Sequence, residues 1–111
     1  MTTTDTFTMD YHGKPLRVIM KDGEQWFVVS DLCRILSVYM RGDKPRTEEA
    51  MRRLRPGTKA LHPVETSCGP RCVGIVNHEG TADLAFWAKH PDAPELFVFN
   101  VDQAAREAVA A

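Results

Sequence analysis

Apolar positions alternate at strand period up to about Val29, switch to helical spacing, return to strand period before Asn77, and end in helical spacing toward the C-terminus. The segment Leu16 to Leu36, LRVIMKDGEQWFVVSDLCRIL, carries the pattern most clearly. Lys14 to Met20 and Gln25 to Val29 read as two strands joined by Asp22-Gly23, a dipeptide that tolerates the positive φ of a tight hairpin turn. Trp26 to Val29 is aromatic and β-branched, as a strand on a core should be. Ser30 then offers an oxygen to the orphan amides of a helix start, and Asp31 places a negative charge at the positive end of its dipole. Leu32, Ile35 and Leu36 fall on one face of a helix expected from about Asp31 to Tyr39, with Gly42 and Pro45 beyond it.

The remaining elements follow the same signals. Phe7 to Met9 forms a short first strand after a tail of residues 1 to 5. Thr47 caps a second helix through Arg53 or Arg55, with Ala50, Met51 and Leu54 apolar and Pro56-Gly57 closing it. Leu61 to Val64 and Cys72 to Val76 read as a second hairpin with a longer loop around Cys68-Gly69-Pro70-Arg71. Asn77 caps a third helix that ends before His90-Pro91 and carries Leu84, Ala85 and Ala88 on one side. Asp92 and Glu95 have capping-box spacing for a last helix that carries Leu96, Phe97, Val101, Ala104 and Ala108. The expected fold is α+β: a small, mainly antiparallel sheet of two hairpins with about four helices packed on it. One domain, residues 6 to 103, is expected, with a fraying helix end at 104 to 111 and no room for a second domain.

The segment Leu16 to Cys33 also resembles the N-terminal domain of the BRO family, shared with phage and prophage antirepressors. The resemblance rests on Leu16-Arg17-Val18, on Asp22-Gly23-Glu24 followed by Trp26-Phe27-Val28-Val29, and on Ser30-Asp31-Leu32-Cys33. Ile75 to Gly80 is similar to the family's entry into a later helix, and Pro91 to Phe97 to a further segment. The resemblance implies a phage- or prophage-encoded regulator that binds DNA without catalysis, in the cytoplasm of a host cell.

Charge changes the picture locally rather than globally. The net charge of -1 is not that of a general nucleic-acid coat. Yet Arg41 to Lys59 holds seven of the 14 basic residues, Arg41, Lys44, Arg46, Arg52, Arg53, Arg55 and Lys59, against three acids. Arginine suits phosphate because its planar fork makes two charge-assisted hydrogen bonds at once. The competing reading is a solvated face, with Glu48–Arg52 and Glu49–Arg53 as i,i+4 pairs worth about 0.2–0.5 kcal/mol each.

Other chemistry is weaker. Cys68 and Cys72 with His62 and His78 would make a tetrahedral zinc set, but a single Cys-x3-Cys pair is a poor zinc signal, and free thiols or a disulfide compete. No metal or cofactor is expected, and no nucleophile motif, phosphate-cradling glycine loop or acidic cluster marks an enzyme. Cys33 reads as a small core residue.

The aromatics read mainly as core, although the two members of each adjacent pair cannot face the same way; Trp87, Phe97 and Phe99 are the candidates for a partner interface. That partner is a repressor or host protein, or a second copy in a homodimer. Three cysteines and the absence of a signal peptide or an apolar span point to the cytoplasm and away from a membrane.

Overall fold

The computed structural model describes residues 5–11, 13–21, 23–42, 44–66, 69–88 and 94–110, with side chains described for all of these except 5, 64–66 and 108–110. Three strands open the chain, β1 (Asp5–Tyr11), β2 (Lys14–Lys21) and β3 (Glu24–Val28), followed by helix α1 (Val29–Leu36). A two-stranded ribbon, β4 (Met40–Arg41) and β5 (Lys44–Pro45), leads into α2 (Thr47–Arg53). The hairpin β6 (Lys59–Thr66) and β7 (Gly69–Val76) precedes α3 (His78–Trp87) and α4 (Pro94–Ala110). The main sheet is antiparallel with order β1-β2-β3-β7-β6, so the fold is α+β.

Tight turns join the first strands because the register leaves two residues between them. Lys21 pairs with Glu24, and Gly23 takes a φ of 78°, the left-handed region that glycine enters at no steric cost. Its neighbour Asp22 lies outside the described residues, as do His12, Cys68, His90 and the Asp92 cap. β1 begins at Asp5, opposite Met20, so the strand includes the last residue assigned to the tail.

The two faces of the sheet have separate cores. Val18, Phe27 and Val76 point toward the helices, where they join Leu16, Leu32, Leu84, Phe97 and Val101 in the main cluster. Ile19, Val28 and Ile75 are fully buried on the opposite face beside Trp26, Ala60 and Val73. The Trp26–Phe27 pair therefore divides as strand alternation requires, with Phe27 in the main core and Trp26 behind the sheet under the Lys21 ammonium.

Three expectations need correction. Helix α1 starts at Val29 and lacks a side-chain cap; Ser30 Oγ instead accepts from Arg17. It also ends sooner than expected, because Ser37 turns left-handed at φ 55° and its N–H closes on the Cys33 carbonyl. The second hairpin has no long loop. Its ladder continues to Thr66↔Gly69; β6 is the edge strand and only Ile75 and Val76 of β7 pair with β3, so the open sides tolerate Pro63 and Pro70. In α4, Phe97, Val101 and Ala105 are fully buried, Ala104 packs against the same cluster, and Leu96 is exposed.

The expected Asn77 cap is present. Asn77 Oδ1 accepts from Gly80 N at 3.1 Å, fixing the start of α3 directly after β7.

Candidate nucleic-acid interface

The basic segment folds as ribbon, helix and strand start. After α1, Ser37 and Tyr39 both take positive φ, and the chain doubles back so that Arg46 N donates to the Tyr39 carbonyl. Gly42, at φ 65°, allows the two-residue reversal between Arg41 and Lys44. Thr47 is the first residue of α2 rather than its cap, which is Arg46. The helix is anchored through buried Ala50 and Leu54, which leaves Arg52 and Arg53 on its solvent side.

The seven cations separate by what holds them. Arg46 pairs with Glu49 at 2.6 Å. Arg55 reaches across to α3, with Nε 3.0 Å from Asp83 and a longer contact to Glu79; the Asp83 hydrogen bond and charge hold its guanidinium protonated beyond the ordinary range. Lys59 Nζ donates to the Met51 carbonyl near the end of α2, where a cation is favoured. Arg53 lies over the Tyr39 ring, 5.8 Å from its centroid. Arg41, Lys44 and Arg52 are exposed and have no ion-pair partner among the described residues.

Neither expected i,i+4 pair forms. Glu49 is taken by Arg46 from the preceding turn, and Glu48 makes no ion pair among the described residues. The row Arg52, Arg53, Arg55 is likewise not a single strip, because Arg55 sits beyond the helix and is turned toward Asp83.

Two further cations join the ribbon. Lys14 Nζ donates to the Arg34 carbonyl at 2.9 Å, and both residues line a hollow of about 400 Å³ with Ser37, Met40 and Gly42. Sequence reasoning missed them because Lys14 is 20 positions from Arg34. The usable signal was the tight β3–α1 junction, which turns the helix back over the start of β2. On the other side of α2, Arg52, Glu48 and Met51 face Leu61 and Cys72 of the outer hairpin across an open cleft of about 750 Å³.

The remaining candidates disperse. His62 pairs with Val73, and Cys72 pairs with Pro63, so strand alternation puts His62 and Cys72 on opposite faces of the hairpin. His78 sits at the start of α3 near Phe27 and Asp102. The described members of the zinc set therefore do not meet, and among the described residues no three His, Cys, Asp or Glu side chains converge as metal ligands. Cys33 is buried in the main core, where burial pushes its thiol up to about 11.

Phe97 must be withdrawn as an interface residue: it is fully buried and meets the Tyr11 ring edge-on at 6.0 Å. Trp87 and Phe99 are 48% and 61% exposed, and Phe86, read as core, is 65% exposed against Trp87. No helix among the described residues is long and apolar enough to cross a membrane. No family model, curated protein or solved structure matches this chain.

Proposed function

We propose that this domain is a non-catalytic DNA-binding regulator of the antirepressor type, built like the BRO N-terminal domain it resembles. The supporting observation is the set Arg41, Lys44 and Arg52, exposed on a ribbon and an adjoining helix and not neutralised by described acids. A surface ion pair contributes little to stability, so an unpaired cation leaves the fold unaffected and is available to phosphate. Such contacts position a duplex without reading its sequence.

A shift assay with mixed duplex fragments tests this. Binding at micromolar protein should weaken sharply with salt, and the R41A/K44A/R52A variant should lose it while keeping the wild-type unfolding midpoint. Binding that is unchanged in that variant removes this surface from the account.

The second reading is capture of a repressor or host protein, or pairing with a second copy. It is favoured by Phe86, Trp87, Leu96 and Phe99, all large, apolar and exposed on the last two helices. Absence of DNA binding at low salt, with nuclease-resistant capture of a protein that W87A/F99A abolishes, would select it.

A further inference from the structure

β3 leaves the main sheet early. It pairs with β7 only at Phe27↔Val76 and Val28↔Ile75 and then turns into α1, while β7 runs on outward from Gly74 to Gly69. Among the described residues no strand pairs with that outer stretch on the side that β3 has left.

The register shows which backbone groups face the open side. Asn77 N donates to the Thr58 carbonyl across the β6–β7 ladder. Direction alternates residue by residue along an antiparallel strand, so Ile75, Val73 and Arg71 also turn their N–H and C=O groups to β6. Cys72 and Pro70 turn theirs to the open side. Pro70 brings only an acceptor, whereas Cys72 is exposed and brings a donor and an acceptor. The cleft of about 750 Å³ beside α2 lies along this edge. Cys72, Val73 and Gly74 all line it, although successive side chains point to opposite faces, so the strand meets the cleft with its edge. Ser30 lines it where the chain has passed into α1, and Thr47, Glu48, Met51 and Arg52 line it from α2.

A strand laid against β7 here would point alternate residues to the two faces. Those on the helix side meet Met51 and Leu61, which suits apolar groups. Their neighbours lie on the face that carries Arg71. Arg71 and Arg52 are exposed and make no ion pair among the described residues, and Glu48 is the one acid among the described lining residues. Two guanidiniums against one carboxylate favour an acidic partner. The edge of a second sheet would bring its neighbouring strand with it, against α1 and α2, so a lone extended segment fits better. We propose that this slot takes up an extended segment of a partner protein, acidic residues alternating with apolar ones, as an added strand on β7. The proposal needs neither the DNA reading nor the exposed aromatics of α3 and α4.

The test is a ¹H–¹⁵N titration of the whole protein with acetyl-Glu-Val-Glu-Val-Glu-amide, using acetyl-Lys-Val-Lys-Val-Lys-amide as the charge-reversed control. The acidic peptide should give saturable shifts centred on the Cys72 and Gly74 amides, slow hydrogen exchange at Cys72, and bind several-fold tighter than the lysine peptide. R71E, at an exposed position, should move the ratio of the two affinities several-fold toward the lysine peptide. Arg71 lies outside the basic segment, so this result stands apart from that of the DNA assay. Two analogues of the acidic peptide, N-methylated at the valines or at the glutamates, test the pairing itself. One of these two sets of amides faces β7, so at least one analogue should lose binding. Binding that survives both methylations, or a ratio unchanged in R71E, would overturn the inference. So would shifts centred on the edge of β1 or β6, or no saturation by about 5 mM peptide. A dimer in solution whose Cys72 amide is protected without peptide would overturn it too, since a second copy would then fill the slot.

Discussion

Asp31 shows how one side chain can hold a junction together. β3 ends at Val28 and turns at once into α1, so the ladder beside Arg17 loses its strand partner. The Asp31 carboxylate takes that place, accepting from Arg17 N and Arg17 Nε, both at 2.9 Å, while Arg34 approaches its other oxygen. Its side chain is 4% exposed, so these donors stand in for water. Removing it strands a backbone donor and a partly buried guanidinium. D31A should therefore cost about 3 kcal/mol, read as a lowered urea midpoint, whereas loss of Arg34 alone should cost less than 1 kcal/mol because its end is exposed.

Cys33 makes a different claim at the same scale. Its folded thiol keeps its proton to about 11, above the ordinary 9.0 that applies once the chain unfolds. The folded state thus binds the extra proton between those values, and this contribution is complete below pH 9 and lost as pH rises through 11. Wild type should lose stability relative to C33A across that window and not below it. In the native state a thiol reagent should modify exposed Cys72 and spare Cys33.

At the scale of elements, the start of α3 is a tight junction. A methyl group on Gly80 would lie 2.7 Å from Val76 Cβ and 2.9 Å from the Thr58 carbonyl oxygen. That carbonyl also accepts from Asn77 N, so neither side can yield without loosening the cap. G80A should destabilise by about 1–3 kcal/mol through overpacking, and N77A by about 1 kcal/mol through loss of the cap, both read by thermal unfolding.

Much of this level was legible in the chain. Asn77 before a helical run, Gly after Asp in a hairpin and the alternating Trp26–Phe27 pair all state local chemistry that the tertiary fold leaves intact. Spacing along the chain misleads where distant groups compete. Ser30 has the position of a cap, but Arg17, from another strand, claims its hydroxyl. Phe97 has the composition of an interface residue, but α4 packs it against Tyr11. Arg55 has the spacing of a helical row, but Asp83, 28 positions away, binds it. Spacing along the chain cannot show these partners, since each depends on how the elements dock.

At the scale of the molecule, that last correction changes what the proposed DNA surface should do. The seven cations of the basic segment, all touching phosphate, would give a slope of log affinity against log salt near -6. Arg46 and Arg55 are held by carboxylates, Lys59 by a helix carbonyl and Arg53 by an aromatic face. The three exposed cations without ion-pair partners, Arg41, Lys44 and Arg52, set the expectation nearer -3. Each of R41A, K44A and R52A should then reduce the slope by about 1, and R55A should leave it unchanged while breaking the contact between the segment after α2 and Asp83 of α3. A steeper wild-type slope that falls in K14A or R34A would extend the footprint across the hollow beside the ribbon, where those two residues lie against Ser37 and Gly42. If R55A instead reduces the slope as far as R52A does, the Asp83 pair opens on binding. The whole basic segment, not its unpaired members, would then be the contact.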